Sequence, residues 1–228
     1  MSSETRIVKV FNLGRTAYVK THRLQQGLQD QRREGRGEDT LLLTEHGPVF
    51  TTGRSHPTPD LKVPVEEVAS QGIDIVSTER GGDITYHGPG QLVGYGIINL
   101  KGWGIGPVDY VRGLEEVMIK VCVDWGLVGA RNPDARGVWI EDRKIGSVGI
   151  HVRRFVTMHG FALNVNPDME HFGLINPCGM TDANMTSLSV EASKDIEMSE
   201  VYESATFHFG RVFECETEDV DPYSKTAI

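Results

Sequence analysis

The segment from Arg80 to Gln91 places the strongest constraint on how this chain can fold. It reads Arg-Gly-Gly-Asp-Ile-Thr-Tyr-His-Gly-Pro-Gly-Gln, so four glycines and a proline alternate with five polar or ionisable side chains. Glycine and proline at this density exclude a helix. Because glycine also lets a ligand approach the main chain closely, the segment predicts a binding wall. The alternative is an ordinary glycine-rich turn whose polar groups are satisfied internally.

Composition and charge exclude several classes of protein. The chain has 23 basic and 32 acidic residues and a net charge of −9, whereas a general nucleic-acid binder shows a basic excess. No apolar run approaches the roughly 18 residues of a membrane span, and no targeting segment is visible before Ile7. The three cysteines, at positions 122, 178 and 215, form no C-x-x-C pair, which indicates a reducing compartment. We therefore expect neither a nucleic-acid nor a membrane partner.

Apolar patterning predicts one α/β (α+β) domain spanning residues 1–228, with a core at about 6–215 and a mixed, mostly antiparallel sheet flanked by helices. Short β-branched segments bounded by Gly, Pro or Asp predict seven strands: Ile7–Val10, Leu41–Leu43, Ile73–Val76, Val93–Leu100, Val138–Ile140, Ile145–Val152 and Phe161–Val165. Helical spacing predicts four helices: Thr16–Gln31, Pro64–Gln71, Val108–Trp125 and Met198–Glu214. A turn at residues 141–143 joins the strand Val138–Ile140 to the next strand in a hairpin. Lys144 then lies at the start of the second strand of this hairpin.

Cys178 is the candidate nucleophile. It lies in a Pro-Cys-Gly sequence, where a thiol is accessible, and a thiolate is a strong nucleophile; a buried structural cysteine is the alternative. Lys144 is the candidate partner, because a neighbouring cation favours the thiolate, and a solvated hairpin lysine is the alternative. His159 and His87 are rival partners, although a lone histidine is more often a structural hydrogen-bond donor than a base.

Several cofactor motifs are missing from the sequence. It contains no G-x-x-x-x-G-K-[ST] phosphate loop, no G-x-G-x-x-G fingerprint opening a helix after a strand, and no His/Cys cluster with zinc spacing. The sequence therefore predicts neither a cofactor nor a metal ion.

Five motifs together resemble the lipoyl(octanoyl) transferases of lipoate biosynthesis. Arg80–Gln91 matches R-G-G-x-x-T-x-H-x-P-G-Q at every fixed position. The other four are Glu45–Gly53 (E-H-x-P-V-[YF]-T-x-G), Gly137–Gly149 (G-V-W…K-I-x-x-I-G), His159–Val165 (H-G-[FL]-A-L-N) and Ile175–Gly179 (I-x-P-C-G). Gly96 departs from the family's usual proline, and Gly146-Ser147 from its common Ala-Ala or Ala-Ser. We expect these changes to affect loop rigidity and not the chemistry.

The resemblance implies the fold of the biotin and lipoate protein ligases, with Cys178 as the acyl-thioester nucleophile and Lys144 as its base. It implies that the acyl pocket and its rim come from three segments: Arg80, Gly81, Gly82, Asp83, Ile84, Thr85, Tyr86 and His87; Ser147, Val148 and Gly149; and Gly160, Phe161 and Ala162. His46, His159 and Tyr95 are expected to support this pocket.

The implied reaction moves an octanoyl group from octanoyl-acyl-carrier protein to a lysine of a lipoyl domain, in 2-oxoacid dehydrogenase subunits and the glycine cleavage H protein. The compartment is the cytoplasm in a bacterium or the mitochondrial matrix in a eukaryote. Arg143, Arg153 and Arg154 are expected to dock the acidic carrier protein. Three alternatives stay open: an ATP-dependent lipoate or biotin protein ligase of the same fold, a thioesterase, and a non-catalytic module that binds lipoyl domains.

Overall fold

The computed structural model describes residues 5–55, 58–176 and 184–222, and within these ranges the strands form two sheets. The larger sheet has eight strands. In spatial order they are β11 (Glu216–Asp219), β1 (Ile7–Thr16), β2 (Thr40–His46), β6 (Gln91–Ile97), β10 (Val156–Asn164), β9 (Arg143–Arg153), β8 (Val138–Ile140) and β7 (Ala130–Arg131). Only the pairs β11–β1 and β1–β2 are parallel. The predicted mixed, mostly antiparallel sheet is thus confirmed.

The smaller sheet contains residues 85–87 of the Arg80–Gln91 segment, whereas Gln91 begins β6 of the larger sheet. Its strands, in spatial order, are β4 (Asp74–Ser77), β3 (Val49–Thr52) and β5 (Thr85–His87). Phe50, Ile84 and Tyr86 bury their side chains in a separate apolar cluster with Phe172 and Ile175. This cluster anchors the middle of the segment in the smaller sheet.

Helices cover both faces of the larger sheet. They are α1 (Tyr18–Arg33), α2 (Val65–Ser70), α3 (Leu100–Trp103), α4 (Pro107–Asp124), α5 (Leu188–Ala192) and α6 (Met198–Phe213), with a 3-10 turn at Glu170–Leu174. Residues of α4 and α6 share one core with the sheet, while α1 packs over the other face. The helices of the described ranges are too short or too polar to cross a membrane.

The three leucines of β2 show why the sheet is buried on both faces. Leu41 and Leu43 belong to the core shared with α4 and α6, whereas Leu42 packs with Tyr18 of α1. Successive side chains of a strand point to opposite faces, so a continuous apolar run is what a doubly covered strand needs.

The predicted elements differ from the structure mainly at their ends. The strand predicted at Val93–Leu100 runs from Gln91 to Ile97, and Leu100 begins α3. The strand predicted at Phe161–Val165 begins five residues earlier, at Val156. The helix predicted from Thr16 begins at Tyr18, because Thr16 is the last residue of β1.

Both departures from the family pattern lie inside strands, so the expectation that they affect loop rigidity is wrong. Gly96 is in β6, and a Cβ atom there would lie 2.0 Å from the Tyr110 hydroxyl. Gly146 is in β9, and a Cβ atom there would lie 2.6 Å from the Met118 sulfur. Tyr110 and Met118 are buried residues of α4. The two glycines therefore make room for this helix against the sheet.

Candidate functional site

A cavity of about 520 Å³ lies between the Arg80 segment, strands β9 and β10, and the start of α1. Its volume is within the range of small-molecule sites. Of the site residues predicted from sequence, it is lined by Arg80, Gly81, Gly82, Asp83, Ile84, Thr85, His87, Tyr95, Lys144, Ser147, Val148, Gly149, His159, Gly160, Phe161 and Ala162. Residues that the sequence did not single out also line it: Tyr18, Val93, Val111, Asp134, Ala135, Arg136 and Ile150.

Two predicted residues, Tyr86 and His46, are not in this lining. Cys178 lies outside the described residues. Tyr86 points into the core of the smaller sheet, where its hydroxyl is 2.8 Å from His171 Nδ1. His46 lies behind the cavity and contacts it through Tyr95.

Lys144 is the second residue of β9, as the hairpin predicted, and only 2% of its surface is exposed. Its ammonium group lies 5.6 Å from the centre of the Trp139 ring, a distance at which a cation is attracted to the ring face. Gly137 gives the side chain its space, since a Cβ atom there would lie 2.9 Å from Lys144 Cε. The φ of Gly137 is 116°, which other residues rarely adopt.

The main chain of Lys144 is bound to residues that follow Cys178. The Lys144 N–H donates to the Asn184 carbonyl at 2.8 Å, and the Thr186 N–H donates to the Lys144 carbonyl at 2.9 Å. On the other side, the Asn176 N–H donates to the Asp60 carbonyl at 3.1 Å. The described residues nearest to Cys178 are thus anchored on both sides.

A chain of hydrogen bonds joins His87 to the same region. His87 Nδ1 lies 2.7 Å from Gln91 Oε1, Gln91 Nε2 donates to Asn164 Oδ1 at 2.9 Å, and Asn164 Nδ2 donates to the Thr186 carbonyl at 2.9 Å. Gln91 Nε2 also donates to the Tyr86 carbonyl. These bonds to carbonyl oxygens fix which end of the Gln91 and Asn164 side-chain amides is the nitrogen and which is the oxygen. His87 Nδ1 must then be the donor to Gln91.

Burial lowers the pKa of His87 to about 3, helped by neighbouring His46. His87 is therefore neutral at neutral pH, and its Nε2 offers a lone pair. This atom cannot donate a hydrogen bond to a developing oxyanion.

His46 is held in the same neutral state. Its Nδ1 donates to the Thr16 carbonyl at 3.1 Å, and its Nε2 accepts from the Tyr95 hydroxyl at 2.8 Å. Burial lowers the pKa of His46 to about 4 and raises the pKa of Tyr95. His46 therefore orients Tyr95, which lines the cavity.

Six rings form one group, which we call the imidazole cluster: Tyr18, His22, His46, His87, Tyr95 and His159. Neighbouring ring centres lie 5.1–6.2 Å apart. His159 pairs with Ile150, six residues along β9 from Lys144, which corresponds to about 20 Å of strand. Lys144 and His159 thus line distant parts of one cavity.

Arg80 is buried, and part of its guanidinium binds the protein itself. Its Nε and Nη2 donate to Thr51 Oγ1 at 3.2 and 2.9 Å, and its Nη1 donates to the Gly81 carbonyl at 3.1 Å. The Gly81 N–H donates to the Ile150 carbonyl at 2.9 Å. These bonds connect the Arg80 segment to both sheets.

The structure does not favour the predicted docking arginines. Arg143 is engaged by Glu191 at 2.7 Å and by Glu141 at 2.9 Å. Arg153 and Arg154 lie at or beyond the last residue of β9, about 30 Å of strand from Lys144. Arg136 is instead both exposed and part of the cavity lining. It directly precedes the Gly137 motif, a position that the sequence analysis overlooked.

The chain is similar in sequence to known proteins over most of its length. The family model described as the lipoyl protein ligase A/B catalytic domain matches residues 17–210. The chain is 45% identical to the octanoyltransferase of Syntrophobacter fumaroxidans over 205 residues, which is 90% of each chain. It is 42% identical to the octanoyltransferase of Koribacter versatilis over 212 residues, which is 91% of this chain and 84% of that relative.

Solved structures share the fold at much lower identity. LipL1 of P. falciparum in complex with lipoate superposes with a TM-score of 0.73 at 12% identity, covering 94% of this chain and 66% of that one. A bi-partite lipoate protein ligase of Thermoplasma acidophilum gives 0.68 at 14% identity, covering 96% and 87%. The expected ligase fold is therefore confirmed.

Proposed function

The chain belongs to the octanoyltransferases, acyltransferases of protein lipoylation built on the lipoyl protein ligase A/B catalytic domain, and we propose that it works through a thioester on Cys178. Octanoyl-acyl-carrier protein is the proposed donor, and Lys144 is the proposed base. The acceptors are lipoyl-domain proteins; we propose the 2-oxoacid dehydrogenase subunits and the glycine cleavage H protein. The two octanoyltransferase relatives named above are bacterial, which supports a site of action in the bacterial cytoplasm.

The observation that carries this proposal is the position of Lys144. It is buried in the cavity lining, and its main chain is hydrogen-bonded to Asn184 and Thr186. Asn184 is only six residues beyond Cys178, so the chain holds the cysteine within about 20 Å of this strand position. His159, the rival base, lies on β10 opposite Ile150 of β9. It lines the cavity at a point about 20 Å along β9 from Lys144.

The properties of Cys122 and Cys215 support Cys178 as the nucleophile, because neither of the two is suited to that role. Burial raises the pKa of the Cys122 thiol to about 12 and that of the Cys215 thiol to about 11. Both thiols therefore stay protonated near neutral pH, and a thiol reacts poorly as a nucleophile compared with its thiolate. The reactive cysteine is then the one that lies between Ile175 and Thr186.

Two steps account for the transfer. First, Lys144 accepts the proton of the Cys178 thiol, the thiolate attacks the octanoyl thioester and the carbonyl–sulfur bond to the carrier breaks. The carrier thiolate then leaves and takes that proton from Lys144. Second, the amine of the acceptor lysine attacks the new thioester, an amide forms, and the Cys178 thiolate leaves while Lys144 accepts the proton of the amine. An amide is more stable than a thioester, so no ATP is consumed.

Donors for the oxyanion are needed in both steps. We expect them from main-chain N–H groups next to Cys178, because His87 Nε2 carries a lone pair. Arg136 is the proposed contact for the acidic carrier, since it is exposed at the cavity. We propose that the whole chain is one catalytic domain. In agreement with this, β11, the last strand in the sequence, pairs with β1, the first, and forms an edge of the larger sheet.

Mass spectrometry tests the covalent step. The chain is incubated with octanoyl-acyl-carrier protein in the absence of ATP and acceptor. We expect one octanoyl group on the wild type and none on Cys178→Ser. A ligase or a binding module would gain no mass, and a thioesterase would lose the group to water. Cys178→Ser turnover above a tenth of the wild-type rate, a barrier change below about 1.4 kcal/mol, would refute the thioester.

A further inference from the structure

Three potential metal ligands meet beside the cavity, on elements far apart in the sequence. His22 is on α1, Glu79 directly precedes Arg80, and His159 is on β10. One ligand atom of each lies within 4.8 Å of the other two. His22 Nε2 is 2.9 Å and His159 Nε2 is 3.7 Å from the same oxygen, Glu79 Oε2.

These distances suit a small tetrahedral ion. Zinc binds imidazole nitrogen and carboxylate oxygen at about 2.0–2.2 Å, which separates neighbouring ligand atoms by about 3.4 Å. The observed 2.9 and 3.7 Å lie on either side of this value. The ring centres of His22 and His159 are 5.5 Å apart, close to the roughly 5 Å that two imidazoles on one tetrahedral ion would show.

His159 gives independent evidence for a ligand. Its Nε2 is buried and has no hydrogen-bond partner among the residues that the structure describes, although buried polar atoms are nearly always paired. The distance of 3.7 Å to Glu79 Oε2 is too long for a hydrogen bond. The residue also has a φ of 61°, in the left-handed region, and its N–H donates to Gln25 Oε1 at 2.9 Å. His159 thus has an unfavourable backbone conformation, and its Nε2 makes no hydrogen bond to the described residues.

The charges around the group are compatible with a cation. The group holds one carboxylate, that of Glu79, which supplies a negative charge, and two imidazoles, which bind a metal ion in their neutral form. Arg23 and Arg80 directly follow His22 and Glu79 in the sequence; Arg23 is exposed, and the Arg80 guanidinium donates to Thr51. The side chains of His22 and Glu79 keep 15% and 29% of their surface exposed, so an ion can enter from solvent and retain a water ligand.

We propose that His22, Glu79 and His159 bind one divalent ion of the zinc class, with water in the fourth position. The site joins α1 and β10 to the Arg80 segment. Its function is structural, because Lys144 lies about 20 Å away along β9. The nitrogen-rich ligand set selects zinc or a similar transition metal over magnesium, which prefers oxygen ligands. Sequence spacing does not show this site, because it is assembled from three distant segments.

Calorimetric titration of the chelator-treated full chain with Zn²⁺ tests the site. We expect one strong site in the wild type and no response to Mg²⁺. His22→Gln and Glu79→Gln should each weaken Zn²⁺ binding at least tenfold, in line with the cost of disturbing a metal site. His208→Gln is the matched control, because His208 is a histidine paired with a carboxylate, Asp124, at 2.9 Å on another surface.

Two results would overturn the proposal. One is a wild type that binds Zn²⁺ no tighter than about 100 μM. The other is wild-type affinity in both His22→Gln and Glu79→Gln, which would place the ion elsewhere, for example on Cys178. A melting experiment separates ligand loss from misfolding: Zn²⁺ should raise the Tm of the wild type and of His208→Gln, because it binds the folded state. It should not raise the Tm of the two ligand variants, whose Tm without the ion shows that they fold.

Discussion

Lys144 lines the same cavity as four rings of the imidazole cluster, Tyr18, His87, Tyr95 and His159, but the surroundings of its amine differ from those of the histidines. Lys144 is an amine beside an aromatic ring, on a strand bound to the residues that follow Cys178. In the cluster, His46 and His87 have pKa values lowered to about 4 and about 3, because burial disfavours their charged forms. The difference supports the proposal that Lys144 and not a histidine transfers the proton, because His46 and His87 are held in their neutral forms.

The neutral state of His46 and His87 depends on hydrogen bonds as much as on burial. Each of the two histidines donates from Nδ1 to an oxygen, the Thr16 carbonyl for His46 and Gln91 Oε1 for His87. One ring nitrogen of each therefore keeps its lone pair. Such rings accept hydrogen bonds and present apolar faces, which suits the wall of an acyl site better than it suits a base for the thiol.

The largest effect is expected at Lys144. We predict that Lys144→Ala lowers the rate of acyl-enzyme formation at least a hundredfold, about 2.7 kcal/mol, since a positioned base contributes about that much or more. Single-turnover mass spectrometry measures the rate. Lys101→Ala, on the exposed surface of α3, is the control and should retain wild-type activity. A Lys144→Ala rate within tenfold of wild type would assign the base to another residue.

A second prediction concerns the stability of the imidazole cluster. Tyr95→Phe removes the hydroxyl that donates to His46 Nε2 and leaves that buried nitrogen unpaired, so the free energy of unfolding should fall by about 1–3 kcal/mol. Urea unfolding measures it. Tyr202→Phe is the matched control, because the buried Tyr202 hydroxyl has no partner in the described residues, and its loss should cost little. Equal losses in both variants would show that the Tyr95–His46 bond contributes nothing.

The third prediction is a pH dependence of stability. The folded pKa values of His87 and His46 lie below the ordinary 6.5, so the unfolded chain takes up protons first as the pH falls. Stability is therefore full above about pH 6.5 and should decrease by about 1 kcal/mol per histidine between pH 6 and pH 5.

His87→Gln isolates the contribution of one ring in that experiment. Its unfolding free energy should change less between pH 6 and pH 5 than that of the wild type, by about 1 kcal/mol. His208→Gln, which removes a surface histidine, should follow the wild type more closely. An identical pH slope in His87→Gln and the wild type would mean that His87 is not held neutral.

The smallest effect is expected at the rim of the cavity. Arg136→Glu should raise KM for octanoyl-acyl-carrier protein about two- to fivefold, because an exposed charge contributes up to about 1 kcal/mol. The effect should diminish with added salt, since screening acts over about 8 Å at physiological ionic strength. A small octanoyl thioester should be unaffected. A larger KM effect from the Arg153→Glu and Arg154→Glu double variant would place the docking surface at the far end of β9.

The spacing of apolar residues in the sequence predicted those helices and strands whose buried face can be recognised within a single segment. The helix α4 and the hairpin that presents Lys144 follow from apolar spacing and from a polar turn. The strand β5 inside the Arg80 segment was missed, because its Thr85–His87 sequence is short and its pairing with β3 is non-local. The same limit explains Leu100, whose apolar side chain suits a strand or a helix equally well.

The sequence by itself determined the residue types, their order in the motifs, and hence the family and the reaction class. Only the tertiary structure decided which residues meet: Lys144 with the chain after Cys178, and Glu79 with His22 and His159, which are 57 and 80 residues away from it in the sequence. The physical reason is that secondary structure follows from the period of burial along a short segment, whereas contacts between segments depend on how helices and sheets pack over a shared core.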